Sequence, residues 1–346
     1  MAPNLAALHN MNTGDNMTTR RECLVDAGRT LAGVLASGML GPGAKAFADE
    51  KYPQKPVKII VPAPPGVAPD VLARLYANQL EKQLGQAFVI DNRTGASGNL
   101  GADAVMRSRP DGYTLMYAHN SLATVNSLLF PTTGLDFIEK FSPIGRTIQS
   151  YYILLGSPKL KANSLSELIA EARKPDHGLA YASYGPGTIP HLVLELIQER
   201  TGVQLLQVPY RTSPIPDVIA GHVGLVLEPL ASGLPMVTSG KLKALAVSSP
   251  SRLPALPAVP AMNEALPGMA VPLWHGFWAP KGTPAGIVQQ LNVAANNIGQ
   301  SADFRAHLTE LACEPLISSP EEMNKVIFQE RKSWSKVIKD KNIRLE

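Results

Sequence analysis

Three loops that follow short β-type runs contain the groups best suited to hold an anion. They lie at 66–70, 183–188 and 210–213, and each contains glycine or hydroxyl-bearing residues. In open α/β sheets, ligands bind outside the carboxyl ends of the strands. A helix that begins at that edge presents unpaired backbone N–H groups and the positive end of its dipole, which suit a carboxylate. The loops therefore predict an anion-binding site.

The sequence offers no comparable motif for catalysis, for a metal or for a nucleotide. None of the seven histidines stands in an H-E-x-x-H pair, and no G-x-S-x-G run precedes a predicted helix. Gly95, Gly98 and Gly101 are spaced differently from the G-x-G-x-x-G of dinucleotide-binding folds, and there is no Walker lysine. We therefore expect no catalytic residue, no metal and no cofactor. Abundant serines leave a triad assembled only in space as an open alternative.

Length and composition favour a globular protein with two domains and no nucleic-acid partner. The 346 residues are 45% hydrophobic and 17% charged, and the net charge of +4 arises from basic residues scattered along the chain. A nucleic-acid-binding surface needs clustered basic residues. The two cysteines are Cys23 and Cys313. If the N-terminal segment is removed, Cys313 remains alone, as a buried thiol and not as half of a disulfide.

The first 48 residues have the features of an export signal. A twin arginine at 20–21 precedes the mildly apolar stretch 24–40, which is too polar for a stable membrane span. Small residues at 46 and 48 stand where a signal peptidase reads, so we expect cleavage near Ala48. The twin arginine is typical of a Tat signal. A Sec signal, and a true start at Met17, stay open.

The remaining chain alternates β-type runs with helical patterns, which predicts α/β layers. The predicted strands are 57–61, 88–90, 114–117, 180–182, 205–208, 225–227 and 244–247. Helices are predicted to begin near Pro69, at a capping box over 164–167, at Thr283-Pro284, and at Ser319-Pro320. The last helix is predicted to bury Met323, Ile327, Trp334 and Val337.

Two extended segments, 151–155 and 273–278, are predicted to cross between two lobes. Lobe 1 would comprise residues 49–152 and 274–346, and lobe 2 would comprise residues 153–273. A hinge made in this way lets the lobes close on a ligand in the cleft between them.

Short motifs along the whole of this region are shared with a known family. They are YPxKPVKIIVP at 52–62, DVLAR at 70–74, LGQ at 84–86, DNRxGAxGNxG at 91–101, PDGYTL at 110–115, YAS at 181–183, HL at 191–192, VPYR at 208–211, GKLKALAV at 240–247, APxGTP at 279–284 and SPEE at 319–322. With these motifs the chain resembles the Bug family, the periplasmic receptors of tripartite tricarboxylate transporters.

The resemblance implies a type II periplasmic-binding-protein fold with mixed α/β sheets and a ligand cleft between two lobes. It implies a non-catalytic receptor in the periplasm that passes a small organic carboxylate to integral membrane transporter subunits. A monomer is the simplest expectation for a receptor that must close and dock. Carried onto this sequence, the resemblance and the loop pattern give the candidate ligand-binding residues. These are Gly66, Val67, Ala68, Asp70, Asn120, Ser183, Tyr184, Gly187, Thr188, Tyr210, Arg211, Thr212, Ser213 and Glu228.

The chain departs from the family pattern at its first two loops. Val67 stands where the family has glycine, and Pro69 removes one backbone donor. Tyr184 introduces an aromatic ring near the cleft. The family often has an acidic residue at the position of Gly224, and in this chain an acid, Glu228, appears four residues later. These changes predict a bulkier or aromatic carboxylate, or a ligand with an amine for Glu228. A sensor that relays capture to a membrane kinase, and an enzyme built on this fold, stay open as alternative functions.

Overall fold

The structure, a computed structural model, describes residues 52–185, 187–210 and 212–343. The strands of that part are β1 (Val57–Val61), β2 (Phe88–Asn92), β3 (Thr114–His119), β4 (Phe141–Gly156), β5 (Ala180–Ser183), β6 (Leu206–Pro209), β7 (Leu225–Pro229), β8 (Lys243–Val247), β9 (Pro272–Pro280) and β10 (Glu314–Pro315). Its helices are α1 (Ala68–Leu84), α2 (Asn99–Met106), α3 (Ser127–Leu129), α4 (Phe137–Lys140), α5 (Leu165–Ala172), α6 (Ile189–Thr201), α7 (Ile215–Ala220), α8 (Leu230–Thr238), α9 (Met262–Ala265), α10 (Ala285–Gln300), α11 (Ala302–Glu310) and α12 (Pro320–Asp340).

Local sequence explains the limits of the first helix. Pro69 occupies its first turn, where a missing N–H costs no helical hydrogen bond. Gly85 ends the helix in the left-handed conformation at φ 73° and donates its N–H to the carbonyl of Glu81. Glycine adopts that conformation without the steric cost that a Cβ would bring. Leu72 and Leu80 then face the core.

The strands hydrogen-bond in the order β2-β1-β3-β9-β4-β7-β5-β6, and β8 and β10 pair with β4 outside that order. β1 runs parallel to β2 and β3, and β5 runs parallel to β6 and β7. β4 and β9 are antiparallel to their partners. Helices connect the parallel strands, as crossover connections require. The prediction of a mixed α/β fold is therefore confirmed.

β4 is the strand that both parts of the sheet share. Its beginning, up to Tyr151, pairs with β9, and its end, from Tyr152, pairs with β7. We call β1, β2, β3, β9, β10 and the beginning of β4 the first half, and β5 to β8 with the end of β4 the second half. The first predicted crossing segment, 151–155, contains this transition. The second, 273–278, lies inside β9, whose partners all belong to the first half.

Separate apolar clusters fill the two halves. In the first half, Tyr76 and Tyr117 pack with Phe277 and Ile298. In the second half, Tyr181 and Leu225 pack with residues of α5 and α6. The end of α12 joins this second-half cluster through three buried side chains, Trp334, Val337 and Ile338. The beginning of α12 packs in the first half. This helix therefore contacts both halves.

Most of the predicted elements are confirmed, and their caps show where the sequence misled. Ser319 and Glu322 form the expected reciprocal capping box at the start of α12, and its predicted apolar stripe is buried. The helix predicted to begin at Thr283-Pro284 is α10, but Thr283 does not cap it. The hydroxyl of Thr283 donates to the carbonyl of Pro280, and Pro284 takes the cap position without a side-chain bond. Cys313 is a free, buried thiol, as predicted.

The predicted export signal, residues 1–48, lies outside the described residues. Among the helices of the described part, none combines the length and the apolar character that a membrane crossing requires.

Candidate functional site

The carboxyl ends of parallel strands from both halves converge on the middle of β4. His119, the last residue of β3, pairs with His275 of β9, and His275 pairs with Ile148 of β4. From the other half, Pro229 at the end of β7 pairs with Tyr152 of β4. Because β1 adjoins β3 and β5 adjoins β7, the loops that follow all four strands begin at these two edges. The three sequence-predicted loops follow β1, β5 and β6 at these edges.

Asp70 organises the first loop from within. Its carboxylate accepts hydrogen bonds from the N–H of Gly66 at 2.8 Å, from Arg74 Nε at 3.0 Å and from Asn92 Nδ2 at 2.9 Å. These donors, the guanidinium of Arg74 first, lower the pKa of Asp70 to about 2. Asp70 is 2% exposed. Its carboxylate is therefore already satisfied, and it holds the loop in shape.

The backbone just before α1 presents donors at the first edge. Gly66 has a φ of +80°, which glycine adopts readily. Val67 precedes the helix in an extended conformation, and its carbonyl accepts the first helical bonds, from Asp70 and Val71. Among the described residues, the N–H groups of Val67 and Ala68 have no hydrogen-bond partner. Those two groups, at the positive end of the helix dipole, can receive an anion.

A small cavity of about 10 Å³, the space that one water needs, lies between the starts of α1 and α2. Its lining residues are Pro62, Ala63, Pro69, Ser97, Gly98, Ala118, His119 and Leu122. The glycines of the G-x-x-G-x-x-G run allow α2 to lie close to the end of β1. A Cβ on Gly101 would lie 2.9 Å from the carbonyl oxygen of Arg93 and 2.9 Å from Cβ of Pro62, so only glycine fits. The spacing that mimics a nucleotide motif thus packs α2 against the end of β1.

His119 belongs to this cavity, although the sequence reasoning did not select it. Its Nδ1 lies 2.7 Å from Oγ of Ser121, and burial lowers its pKa to about 4. The sequence prediction chose the neighbouring Asn120 instead. The structure places Asn120 away from the cavity, where its Nδ2 donates to the carbonyl of Pro272 and to Glu330 of α12. A histidine at the end of a predicted strand, beside a predicted site residue, was the available signal.

In the second half, the structure brings Tyr184 and Glu228 together, next to Ser183 at the end of β5. Ser183 is fully buried, and its hydroxyl accepts a hydrogen bond from Gln207 Nε2 at 2.8 Å. The phenol of Tyr184 donates to Glu228, and Ser232 donates to the same carboxylate at 2.9 Å. Glu228 is 3% exposed, and its burial raises the pKa in spite of both bonds.

The loop between β5 and α6 is held by its own side chains. The N–H of Gly187 donates to Nδ1 of His191 at 3.0 Å, and Thr188 Oγ donates to the carbonyl of Gly185 at 2.9 Å. His191 is buried, which lowers its pKa and leaves the ring neutral so that Nδ1 can accept. From the first turn of α6, His191 therefore fixes the loop that precedes the helix.

The third loop is tied to α7. Tyr210 is half-buried, and its hydroxyl donates to Asp217 at 2.9 Å. Thr212 and Ser213 are exposed, and the predicted site residue Arg211 lies outside the described residues. Within the described part, no group of three or more His, Cys, Asp or Glu residues is placed to hold a metal ion.

Comparison with known proteins identifies the family. The profile of the tripartite tricarboxylate transporter family receptor, TctC, matches residues 72–343. Protein BugT of Bordetella pertussis is 34% identical over 310 residues, which cover 88% of this chain and 95% of BugT.

Two solved structures show the same fold. An R. palustris protein solved with adipate is 34% identical, with a TM-score of 0.76 over 85% of this chain and 99% of that one. MatC from Rhodopseudomonas palustris, solved with bound malate, is 29% identical, with a TM-score of 0.72 over 83% of this chain and 100% of MatC. The predicted binding-protein fold and the Bug resemblance are thus confirmed. The chain belongs to the tripartite tricarboxylate transporter family of receptors, which are solute-binding proteins.

Proposed function

We propose that this receptor captures a small carboxylate between the two halves of its sheet and passes it to integral membrane transporter subunits. The observation that carries the proposal is a pair of N–H groups, those of Val67 and Ala68, which have no partner in the described part of the chain and lie where α1 begins beside the ends of β1 and β3. These groups lie at the positive end of the dipole of α1, which favours an anion beside them. The adipate and malate bound to two similar proteins support a carboxylate ligand.

The proposed ligand is a bulky or aromatic carboxylate. Val67, at the first edge, is 41% exposed, and Tyr184, at the second edge, is 39% exposed. Such exposure leaves apolar surface that a ligand with a large apolar part would cover, and burial of apolar surface favours binding. The predicted ligand-binding residues of the second edge, including Thr188, Tyr210 and Glu228, then supply hydrogen bonds or close over the ligand.

Capture is proposed to proceed by closure of two lobes, residues 49–152 with 274–346 and residues 153–273. β4 runs from one proposed lobe to the other, which suits a hinge. Trp334 and Val337 of α12 pack against the second half, so closure would have to preserve or slide this contact. The proposal expects a smaller radius of gyration when the acid is bound, measured by X-ray scattering.

We also propose that the receptor binds its ligand without converting it, that it acts as a monomer, and that it is exported to the periplasm. The family is a family of receptors, and the twin arginine and small residues before Asp49 support export. Sequencing the N-terminus of the protein recovered from the periplasm should give Asp49. An intact Met1 or Met17, with the protein retained in the cytoplasm, would contradict this part.

The test is a thermal shift with the purified full chain and a panel of acids that includes adipate, malate, citrate and benzoate. A ligand at one hundred times its Kd should stabilise the protein by about 2.7 kcal/mol, which shifts Tm by several degrees. Selective stabilisation with the acid recovered unchanged would support a receptor. Conversion of the acid would favour an enzyme, and the absence of any shift across the panel would contradict carboxylate capture.

A further inference from the structure

Two histidines meet where β3 ends beside the start of β9. His119 and His275 are register partners, and their rings pack edge to face with centroids 6.3 Å apart. His275 is 2% exposed, and its Nδ1 is buried without a hydrogen-bond partner among the described residues. Burial and, to a smaller extent, the neighbouring His119 lower the pKa of His275 to about 3. His275 is therefore uncharged, and its ring packs against the ring of His119.

The imidazole of His119 has one nitrogen engaged and one available. Nδ1 contacts the hydroxyl of Ser121 at 2.7 Å, while Nε2 has no hydrogen-bond partner within the described part of the chain. When the Ser121 hydroxyl donates to Nδ1, the proton of the neutral ring must be on Nε2. His119 lines the small cavity between the starts of α1 and α2, and this N–H is the ring's available donor for a ligand group that reaches that edge.

Within the described residues, no acidic side chain is directed at His119. β9 contributes the neutral His275, and Ser121 contributes a hydroxyl. Asp70 is engaged by the first loop and by Arg74, and Glu330 of α12 accepts from Trp274 and Asn120. The helix starts at the cavity add positive dipole ends. Because nothing compensates a charge on the ring, burial lowers the pKa of His119 to about 4 and keeps it neutral at pH 7.

We propose that His119 selects the carboxylate in this receptor, donating to it from Nε2 and taking up a proton from solvent when the acid binds. The acid stays ionised, and the proton from solvent adds to Nδ1, so the ring passes from neutral to cationic. Nδ1 then donates to Oγ of Ser121, and the hydroxyl turns its own hydrogen away. The described residues around the ring supply no negative charge. A bound carboxylate would supply it and would therefore favour the protonated imidazolium. The inference rests on the proposed function, since it concerns the same site.

Linkage gives the size of the effect. If the bound carboxylate restores the pKa of His119 to its ordinary value of 6.5, affinity should rise about tenfold between pH 7.5 and pH 5.5. At pH 6.5 binding should then take up about half a proton. Calorimetry in buffers with different ionisation enthalpies measures that number directly.

The experiment titrates the full chain with adipate, malate, citrate and benzoate at both pH values. His119→Gln keeps an N–H near the position of Nε2 but cannot take up a proton. At pH 7.5 its affinity for the acid should be within about threefold of that of the unmodified protein. At pH 5.5 it should not show the rise in affinity that protonation of His119 brings. His119→Phe removes the donor and should weaken binding more than about tenfold at pH 7.5. His307→Gln, an exposed histidine on α11, is the control and should retain the gain.

The pattern of results separates the two proposals. If the protein binds one of the four acids but His119→Gln shows the same gain and proton uptake, the role of His119 is overturned and carboxylate capture stands. Because the same acid is used throughout, protonation of the acid itself appears equally in the variant and cancels. If none of the four acids binds the unmodified protein, both proposals are overturned.

Discussion

Each half of the sheet carries one buried carboxylate at the candidate site, and the two are held in opposite ways. Asp70 and Glu228 are almost equally buried, at 2% and 3% exposure. The pKa of Asp70 is lowered to about 2 because a guanidinium, a side-chain amide and a backbone N–H donate to it. The pKa of Glu228 is raised because burial outweighs the two hydroxyl groups that donate to it.

The difference assigns different tasks to the two edges. A carboxylate that a cation and two further groups hold in place fixes the conformation of its loop, so the first edge is organised before ligand arrives. A buried carboxylate held by hydroxyl groups can exchange one of them for a donor on the ligand at smaller cost. We therefore expect changes at the first edge to affect stability most and changes at the second edge to affect selectivity.

The largest effect is expected for Asp70→Asn. The change leaves the guanidinium of Arg74 and the N–H of Gly66 facing a neutral amide, and should lower the free energy of unfolding by about 2–4 kcal/mol. Urea unfolding measures it. Asp103→Asn is the control, since Asp103 forms the same i,i+4 pair with Arg107 at the surface, with a side chain 36% exposed. It should cost less than about 1 kcal/mol, and equal losses would contradict the comparison.

The same comparison can be made with pH. The pKa of Asp70 is lower in the folded than in the unfolded chain, so its contribution is complete above its ordinary value of 3.8 and is lost as pH falls through about 2. The difference in unfolding free energy between the original protein and Asp70→Asn should therefore shrink as pH falls from 5 towards 2. A difference independent of pH over that range would show that the charge of Asp70 is not responsible.

An intermediate effect is expected for Tyr184→Phe. The change removes one of the two hydroxyl groups that donate to Glu228 and should lower stability by about 1 kcal/mol at neutral pH. When Glu228→Gln is added, the loss should be smaller, because an uncharged amide needs that donor less. Simple additivity of the two changes in thermal unfolding would show that Tyr184 and Glu228 do not interact.

The smallest effect on stability is expected for Glu228→Gln alone. Because burial raises the pKa of Glu228 in the folded chain, its ionised form costs stability above the folded pKa, and that cost disappears below the ordinary value of 4.5. Glu228→Gln should thus leave Tm unchanged or slightly higher at pH 7.5. It should nevertheless change the relative affinities for different acids, and it should weaken most the binding of any acid that carries an amine. A large loss of Tm would contradict this assignment.

Local patterns predicted the elements well and long-range contacts poorly. The limits of β1, the end of α1 at Gly85 and the capping box of α12 depend on neighbouring residues, so the sequence was sufficient. Which of two adjacent residues at the end of β3 lines the cavity depends on long-range packing, and the structure places His119 there and not Asn120. The contact of Tyr184 with Glu228 joins residues 44 positions apart, which no local pattern specifies.

The most direct test of the account is a crystal structure of the full chain with whichever of the four acids stabilises it. We expect a carboxylate group within hydrogen-bonding distance of the N–H groups of Val67 and Ala68 and of His119 Nε2. The rest of the acid should extend towards Tyr184 and Glu228, with the two halves closed around it. An acid bound away from these residues, or bound there with its carboxylate directed into solvent, would contradict the account.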